Sequence, residues 1–230
     1  MIKNTAKLRE TLFRLLILLG GLVIAHLGVT LFILADLGAD PFNVLIQGLR
    51  KLLETAGLAL SHGTVHMAVC FLIILILLIV DRTYVKAGTV VCMFCGGPII
   101  DFFSWLLGGL GIGEAALAAK LPVLILGCAI LAFGMTIVIR SEAGTGPNDL
   151  VAVVISEKTR ARFGIVRIAV DFSFVLIGFL LGGTFGVGTL ICAFLVGLVA
   201  DWCMPRAAAI VAGLLGKMGC PPAQESAQKQ

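Results

Sequence analysis

The chain has 230 residues, of which 60% are hydrophobic and only 13% are charged, and its mean hydropathy is +1.12. A soluble domain of this length needs a more polar surface than these residues can provide. The formal net charge of +4 does not indicate a nucleic-acid partner, because loop Lys and Arg residues set the orientation of a membrane protein. The composition therefore predicts an integral membrane protein whose first partner is the lipid bilayer.

The N-terminal segment resembles a secretory signal peptide, since four basic residues precede the apolar run 15–34: Lys3, Lys7, Arg9 and Arg14. The apolar run is too long for a typical signal-peptide core, and a similar run recurs at 121–139. We therefore expect 15–34 to be a membrane helix of the mature protein. Its basic flank places the N-terminus in the cytoplasm.

One segment of the chain occurs twice. The first set of positions returns 106 residues later: Gly28, Gly38, Pro41 and Asn43 as Gly134, Gly144, Pro147 and Asp149. A second set returns at a slightly shorter spacing: Gly63, Gly88, Thr89, Gly97 and Asp101 as Gly164, Gly188, Thr189, Gly197 and Asp201. The pattern predicts a fused duplication, with repeat 1 at 1–107, a Gly/Ala-rich linker at 108–120 and repeat 2 at 121–204.

Each repeat is predicted to contain four helices. In the first they lie at about 15–34, 41–56, 63–80 and 88–107, and in the second at about 121–140, 147–162, 164–181 and 188–204. The remainder, 205–230, is predicted to form an amphipathic helix at the cytoplasmic surface over 206–217 and then a disordered tail. The C-terminus is therefore also expected in the cytoplasm.

The second helix of each repeat is ambiguous, because apolar and polar residues alternate at helical spacing and it could lie on the membrane or enter it. Its distal part is basic in both halves, with Arg50 and Lys51 in one and Lys158 and Arg160 in the other. Matching charge favours equivalent segments on the same face. We therefore predict two tandem parallel repeats of about four membrane helices, with helix 2 short or partly inserted. Six spans with helix 2 on the surface is the alternative.

These positions also carry a family resemblance, through Gly38, Pro41, Asn43, Gln47, Gly48, Gly63, Gly88, Thr89, Gly97 and Asp101. In this order they resemble the YczE/YyaS family of bacterial integral membrane proteins, which is similar to the wider YitT-like group. The first half departs from the family pattern at Asn43, where an Asp such as Asp149 is expected. The resemblance covers nearly the whole chain and implies a small polytopic protein of the bacterial inner membrane. It implies no particular substrate.

Ionisable side chains inside membrane helices are costly and mark candidate functional positions. We expect helices 3 and 4 of each half to form a hairpin that brings His66 to Asp101 and Arg167 to Asp201. Asp171 is also reachable from Arg167 at i, i+4 spacing. Such pairs either lock helices together or line a cavity in which protonation of an Asp or His is coupled to solute movement.

The two Gly/Pro motifs end one helix and begin the next. Asp40 is placed to cap the helix that starts at Pro41, with Asn43 in its first turn. In the second motif Gly146 precedes Pro147, so that helix end lacks a capping side chain. An anionic group could bind there with Arg140 close in sequence, although Asp149 and Glu142 would oppose it. A single binding site is therefore expected to lie toward 140–149.

No soluble-enzyme motif is present, and the C-x-x-C at Cys92–Cys95 lies within a predicted membrane helix. We predict no enzymatic activity, no metal and no cofactor. Internal repeats with helices interrupted at corresponding positions are typical of secondary transporters. The sequence therefore predicts a small transporter or permease for a small solute, with an anion as one candidate. The alternative is a non-transporting anchor or modulator that acts through helix contacts with a partner protein.

Overall fold

The computed structural model describes the backbone of residues 2–218 and the side chains of residues 8–218. This part of the chain is helical, which confirms the predicted all-α class. The helices are α1 (Ile2–Ala35), α2 (Pro41–Thr55), α3 (His62–Asp81), α4 (Ala87–Leu107), α5 (Leu117–Arg140), α6 (Pro147–Thr159), α7 (Phe163–Leu180) and α8 (Val187–Lys217). Two short 3-10 turns, Gly108–Leu110 and Ile112–Glu114, lie between α4 and α5.

Six of these helices are long and apolar enough to cross a membrane: α1, α3, α4, α5, α7 and α8. The other two, α2 and α6, have 15 and 13 residues. At about 1.5 Å of rise per residue they are shorter than the roughly 30 Å hydrocarbon core. Each half therefore has three candidate spans.

The short helices do not carry the chain across to the other face. His62 Nε2, in the first turn of α3, lies 2.9 Å from Asn43 Oδ1 in the first turn of α2. In the second half Arg167, near the start of α7, pairs with Asp149 in the first turn of α6. Each short helix and the span after it therefore begin at the same membrane face. These contacts do not support a crossing by helix 2, and the described chain has six candidate spans, as in the six-span alternative.

Helices α1 and α5 cross at the centre of the bundle in opposite directions. A Cβ atom added to Gly21 would lie 3.0 Å from Ile137 Cβ, and one added to Gly28 would lie 2.8 Å from Leu131 Cα. Residue numbers therefore rise along α1 as they fall along α5. Parallel repeats would make these two helices run in the same direction, so the predicted parallel relation is wrong.

The remaining helices surround this central pair. Helix α4 packs on α1, α8 packs along α5, and α7 packs on α2, α6 and α8. Helix α3 packs on α2 and α6 rather than along α4, so the hairpin predicted for helices 3 and 4 forms only in the second half. The largest fully buried side chains lie throughout the bundle and include Leu18, Ile46, Leu124, Met135, Val196 and Leu215.

Helix α4 is the least buried of the candidate spans. Its exposed apolar side chains, Val90, Phe94, Phe102, Trp105 and Leu106, are placed to contact lipid. Its interior contains Gly96, Gly97 and Pro98, and the helix continues through this proline.

Helix α8 also continues through a proline, Pro205, and ends only at Lys217. Residues 206–217 are therefore the last turns of a membrane helix and not a separate surface helix. Their buried side chains, Ala207, Val211 and Leu215, form a cluster with Ile17 and Ile137, and this burial stabilises the extension. The tail predicted to be disordered lies outside the described residues.

The start of α1 and the end of α8 lie at one membrane face. Arg9 Nη2 donates a hydrogen bond to the Met218 carbonyl oxygen over 3.3 Å. Arg14 Nη1 donates to the Ser141 carbonyl oxygen over 3.2 Å, so the end of α5 lies there too. We call this the N-terminal face. The end of α1, helix α2 and the start of α5 lie at the opposite face.

The close approach of α1 and α5 predicts that the glycines at their contact cannot be replaced by residues with a side chain without loss of stability. A Cβ on Gly134 would lie 2.7 Å from Ala25 Cα. We expect Gly134→Ala to destabilise the protein by about 1–3 kcal/mol, measured as a lower thermal midpoint in detergent. Gly20→Ala, whose Cβ would meet nothing within 4 Å, is the matched control. Equal midpoints for the two variants would contradict this packing.

The opposed directions of α1 and α5 predict the sidedness of two loops. In a background without the native cysteines, we place a single cysteine at Leu58, after α2, or at Ala161, after α6. Both positions are exposed. A membrane-impermeant maleimide added to intact cells should label one of these cysteines, and the other should react only after permeabilisation. Labelling of both cysteines from the same side would contradict this prediction and support the parallel repeats.

Candidate functional site: the two helix junctions

The two junctions, 36–40 between α1 and α2 and 142–146 between α5 and α6, have the same backbone shape. Asp36 and Glu142 have φ of 51° and 56°, and Gly38 and Gly144 have φ of 134° and 136°. Residues with a Cβ rarely adopt these glycine conformations. Gly38 and Gly144 therefore adopt backbone conformations that a side chain at either position would strain.

Each junction docks on the other half of the protein. The Gly188 N–H donates to the Leu37 carbonyl oxygen over 2.8 Å, and the Gly88 N–H donates to the Ala143 carbonyl oxygen over 2.9 Å. These are corresponding positions of the duplicated sequence pattern. The Gly-Thr pairs that open α4 and α8 therefore receive the junction of the opposite half.

The first junction contains a chain of polar contacts. Asp40 Oδ1 accepts from the Asn43 backbone N–H over 3.1 Å, which confirms Asp40 as the N-cap of α2. The Asn43 side-chain amide donates to Asp40 Oδ2, and Asn43 Oδ1 lies 2.9 Å from His62 Nε2. The three side chains therefore join the first junction and the start of α2 to the start of α3.

A cavity of about 500 Å³ lies beside this first junction. Its polar lining residues are Asp36, Asp40, Asn43, Gln47, His62 and Thr184, and its apolar lining includes Phe32 and Phe185. Gln47 Oε1 accepts hydrogen bonds from the Thr184 backbone N–H and hydroxyl. The charged lining groups are carboxylates, and no Lys or Arg is among the residues around the cavity.

The corresponding second junction is closed by ion pairs at the N-terminal face. Arg14 Nη1 lies 3.3 Å from Glu142 Oε2, and Arg14 Nε lies 2.9 Å from Glu10 Oε1. Lys86 Nζ donates to the Glu142 carbonyl oxygen over 2.9 Å. The cavity left between these groups is smaller, about 190 Å³. We call this set of contacts the Arg14–Glu142 clasp.

The anion site predicted at the second motif stays a prediction, and the arrangement of the groups there gives it little support. Gly146 precedes Pro147 as predicted and caps α6 without a side chain. Arg140 is exposed at the end of α5 and makes no hydrogen bond or ion pair within residues 8–218. Asp149 lies in the first turn of α6, where its carboxylate opposes an anion. The larger cavity lies at the first junction and not at 140–149.

Arg167 and two carboxylates form a buried cluster, which we call the Arg167 triad. Arg167 Nε donates to Asp171 Oδ2 over 2.9 Å, as predicted from their spacing, and Nη1 donates to Asp149 Oδ1. The side chains of Arg167, Asp149 and Asp171 are 10%, 20% and 1% exposed. The triad joins α6 to α7 inside the bundle.

The two interhelical pairs predicted from the sequence are not formed. Asp201 Oδ1 accepts from the Gly164 backbone N–H over 2.6 Å, and its carboxylate lies 4.0 Å from Arg162 and not beside Arg167. His66 packs edge-on against the Phe42 ring, with centroids 5.3 Å apart. Asp101 is exposed on α4, and no described contact joins it to His66. In the first half α3 does not pack along α4, and in the second half the α7–α8 hairpin brings Asp201 to the Gly164 backbone and not to Arg167.

Sequence reasoning overlooked the clasp and most of the polar lining of the cavity. Asp36 and Glu142 occupy corresponding positions and are both acidic, so their place in the duplicated motif was an available signal. Arg14 was assigned to the basic flank that sets orientation, and nothing in its local sequence indicates its contact with Glu142. Asp149 and Arg167 were both candidates, but eight spans would have kept them apart.

A family model described as "Family of unknown function (DUF6198)" matches residues 12–205. The chain belongs to this family. It is 26% identical to the "Uncharacterized membrane protein YczE" of Bacillus subtilis, over 86% of this chain and 88% of that protein. It is 25% identical to the "Uncharacterized protein YyaS" of Bacillus subtilis, over 80% of this chain and 89% of that protein. An "Uncharacterized protein" of Haemophilus influenzae is 26% identical, with 81% of each chain covered.

The matches confirm the resemblance seen in the sequence positions. No solved structure matches the chain. This DUF6198 member is a multi-pass membrane protein with bacterial relatives, so its function has to be inferred from the junctions, the cavity and the triad.

The Arg167 triad predicts a large loss of stability on removal of the arginine. Arg167→Ala would leave the buried Asp171 and the half-buried Asp149 without the group that both carboxyls contact, and we expect a loss of about 3–5 kcal/mol. Arg162→Ala, at a side chain that is 81% exposed, should change the stability by no more than about 0.5 kcal/mol. Thermal unfolding in detergent compares the two variants. An Arg167→Ala protein as stable as the wild type would show that the triad contributes little.

Proposed function

We propose that the protein is a secondary transporter built as an inverted repeat, which moves a small solute by opening its two faces alternately. The observation that carries this proposal is the difference between the junctions. One has a cavity of about 500 Å³ at the opposite face, and the corresponding one is closed by the Arg14–Glu142 clasp at the N-terminal face. One open and one closed junction are expected for a transporter in a conformation that is accessible from one face only.

Three independent features support the inverted repeat. The two junctions share a sequence motif at a constant spacing of 106 residues, and they share the same positive-φ backbone. They also dock reciprocally, through Leu37 on Gly188 and Ala143 on Gly88. Because α1 and α5 run in opposite directions, the axis relating the halves would lie in the membrane plane. Exchange of the two conformations between the halves would then close one face and open the other.

The Arg14–Glu142 clasp supports this exchange, because the two corresponding residues of the other half form no ion pair with each other among the described residues. Lys120 corresponds to Arg14 and Asp36 corresponds to Glu142 at the 106-residue spacing. In the described part of the chain no ion pair joins Lys120 to Asp36, and Asp36 lines the open cavity. In the alternate state, the Lys120–Asp36 pair would close the opposite face while Arg14 releases Glu142.

The charge distribution supports a cytoplasmic N-terminal face. Described basic residues at this face are Arg9, Arg14, Arg82, Lys86, Arg140, Lys158, Arg160, Arg162, Arg206 and Lys217, whereas those at the opposite face are Arg50, Lys51 and Lys120. An excess of Lys and Arg is typical of cytoplasmic loops. We therefore place the protein in the bacterial inner membrane, with both ends of the described chain cytoplasmic and the cavity open to the exterior.

The cavity favours a cationic or neutral solute over an anion. Asp36 and Asp40 supply its charge, and Asn43, Gln47 and Thr184 supply hydrogen-bonding groups. Carboxylates repel an anion and attract an ammonium or guanidinium group. We therefore propose a solute that carries hydrogen-bond donors, and not the anion that the uncapped Gly146 suggested.

A non-transporting anchor or modulator remains the second candidate. The observation that favours it is the pairing of buried charges in the Arg167 triad, which joins helices without requiring a solute. The apolar surface of α4 would then contact a partner helix. This function predicts no solute flux.

Reconstitution in liposomes tests the transporter directly. We expect uptake of at least one member of a panel of amines, guanidinium compounds, amino acids and sugars. Asp40→Asn should reduce that uptake by about tenfold or more, the effect of losing a charge-assisted hydrogen bond worth about 1.5–3 kcal/mol. Glu54→Gln, an exposed position on the same helix, is the matched control. No uptake of any solute by well-folded protein, together with a stably co-purifying partner, would support the anchor instead.

A further inference from the structure

The Arg167 triad contains a carboxylate oxygen that has no partner. Asp171 Oδ2 accepts from Arg167 Nε over 2.9 Å, but Asp171 Oδ1 is buried and makes no hydrogen bond among the described residues. The Asp171 side chain is only 1% exposed, so bulk water does not solvate this oxygen. A buried polar atom without a partner is rare and requires an explanation.

The charges around Asp171 do not balance. Arg167 supplies one positive charge, and Asp149 and Asp171 supply two negative charges if both are ionised. From the other helices packed against α7, Asp40 at the start of α2 is the further charged group in electrostatic range, and Cys192 on α8 is a neutral thiol. His26 of α1 interacts electrostatically with Asp149, and His66 of α3 with Asp40. No second Lys or Arg among these groups offsets the extra carboxylate.

An uncompensated charge in a membrane interior is far more costly than a neutral polar group. A buried carboxylate with too few counter-charges therefore takes up a proton. Protonation on Oδ1 leaves Oδ2 free to keep accepting from Arg167 Nε. Arg167 then forms one ion pair with Asp149 and one hydrogen bond with a neutral acid, so the triad carries no net charge.

A metal ion fits this position less well than a proton. A sodium or divalent ion needs several oxygen ligands around it, and no group of three or more His, Cys, Asp or Glu side chains in the described chain is placed to hold a metal. A proton needs only the single free oxygen. Asp149, whose side chain is 20% exposed, connects the triad to water, so a proton can reach it.

We propose that the Arg167 triad is a proton-binding site. Asp171 holds one exchangeable proton, and the negative charge of Asp149 stabilises the protonated form of Asp171. On release, the O–H bond of Asp171 breaks, the proton passes to water, and both carboxylates then depend on Arg167 alone. The use of this proton to drive transport rests on the proposed function. The binding of the proton does not, because it follows from the charges of the triad.

Infrared difference spectroscopy of the full-length protein in lipid vesicles tests the site without a solute. A protonated carboxylic acid has a C=O stretching band separate from those of amides and carboxylates. We expect this band at neutral pH in the wild-type protein and its loss as the pH is raised. Asp171→Asn should abolish the band. Asp149→Asn should also remove it at neutral pH, because Arg167 then balances Asp171 alone and stabilises its ionised form. Glu114→Gln, an exposed carboxylate outside the triad, should retain the band.

The outcomes separate the proposals. A wild-type protein without the band at neutral pH, or an Asp171→Asn protein that keeps it, overturns the proton site. A band that appears only when sodium is replaced by choline would identify a bound sodium ion and overturn it too. Both variants are amides of matching shape, and thermal unfolding checks their folding. If the band behaves as expected and liposomes show no flux, the site stands and the transport function fails.

Discussion

The structure depends on the backbone contact between α1 and α5. Glycines at corresponding places, Gly21 and Gly28 on α1 and Gly127 and Gly134 on α5, let the two helices meet without side chains between them. In lipid no hydrophobic force draws helices together, so close packing and hydrogen bonding hold them instead. The antiparallel direction of this contact determines where both junctions lie, one at each face. The position of the cavity and of the clasp follows from it.

The second organising contact is the exchange of junctions between the halves. Irregular backbone is tolerated in a membrane protein only where its polar groups are satisfied by protein or water. The carbonyl of Leu37 and that of Ala143 are satisfied by the N–H groups that open α8 and α4. Neither half can form a complete junction alone, so movement in one half changes the contacts of the other. This coupling is what a transporter with one open face requires.

The sequence was sufficient for the membrane class, the approximate helices, the N-cap at Asp40 and the Arg167–Asp171 contact. These follow from hydropathy and from local helical spacing. It was insufficient for direction, because the basic residues in the second half of α2, Arg50 and Lys51, suggested that this segment shares a face with Lys158. In the structure α2 is a short helix at the opposite end of the bundle, where Lys51 is exposed. The Arg167–Asp149 contact was missed for the same reason, since it requires α6 and α7 to begin together.

The halves also differ in stiffness, because of Pro98 in α4. The pyrrolidine ring removes a backbone N–H and leaves the carbonyl of Phe94 without its usual helical partner. The corresponding position in α8 is Leu198, which keeps the helical hydrogen bond. Bending α4 at this point therefore costs less free energy than bending α8 at Leu198, since the proline of α8, Pro205, lies about two turns farther along the helix. A structural exchange between the halves would start from this compliant part of α4.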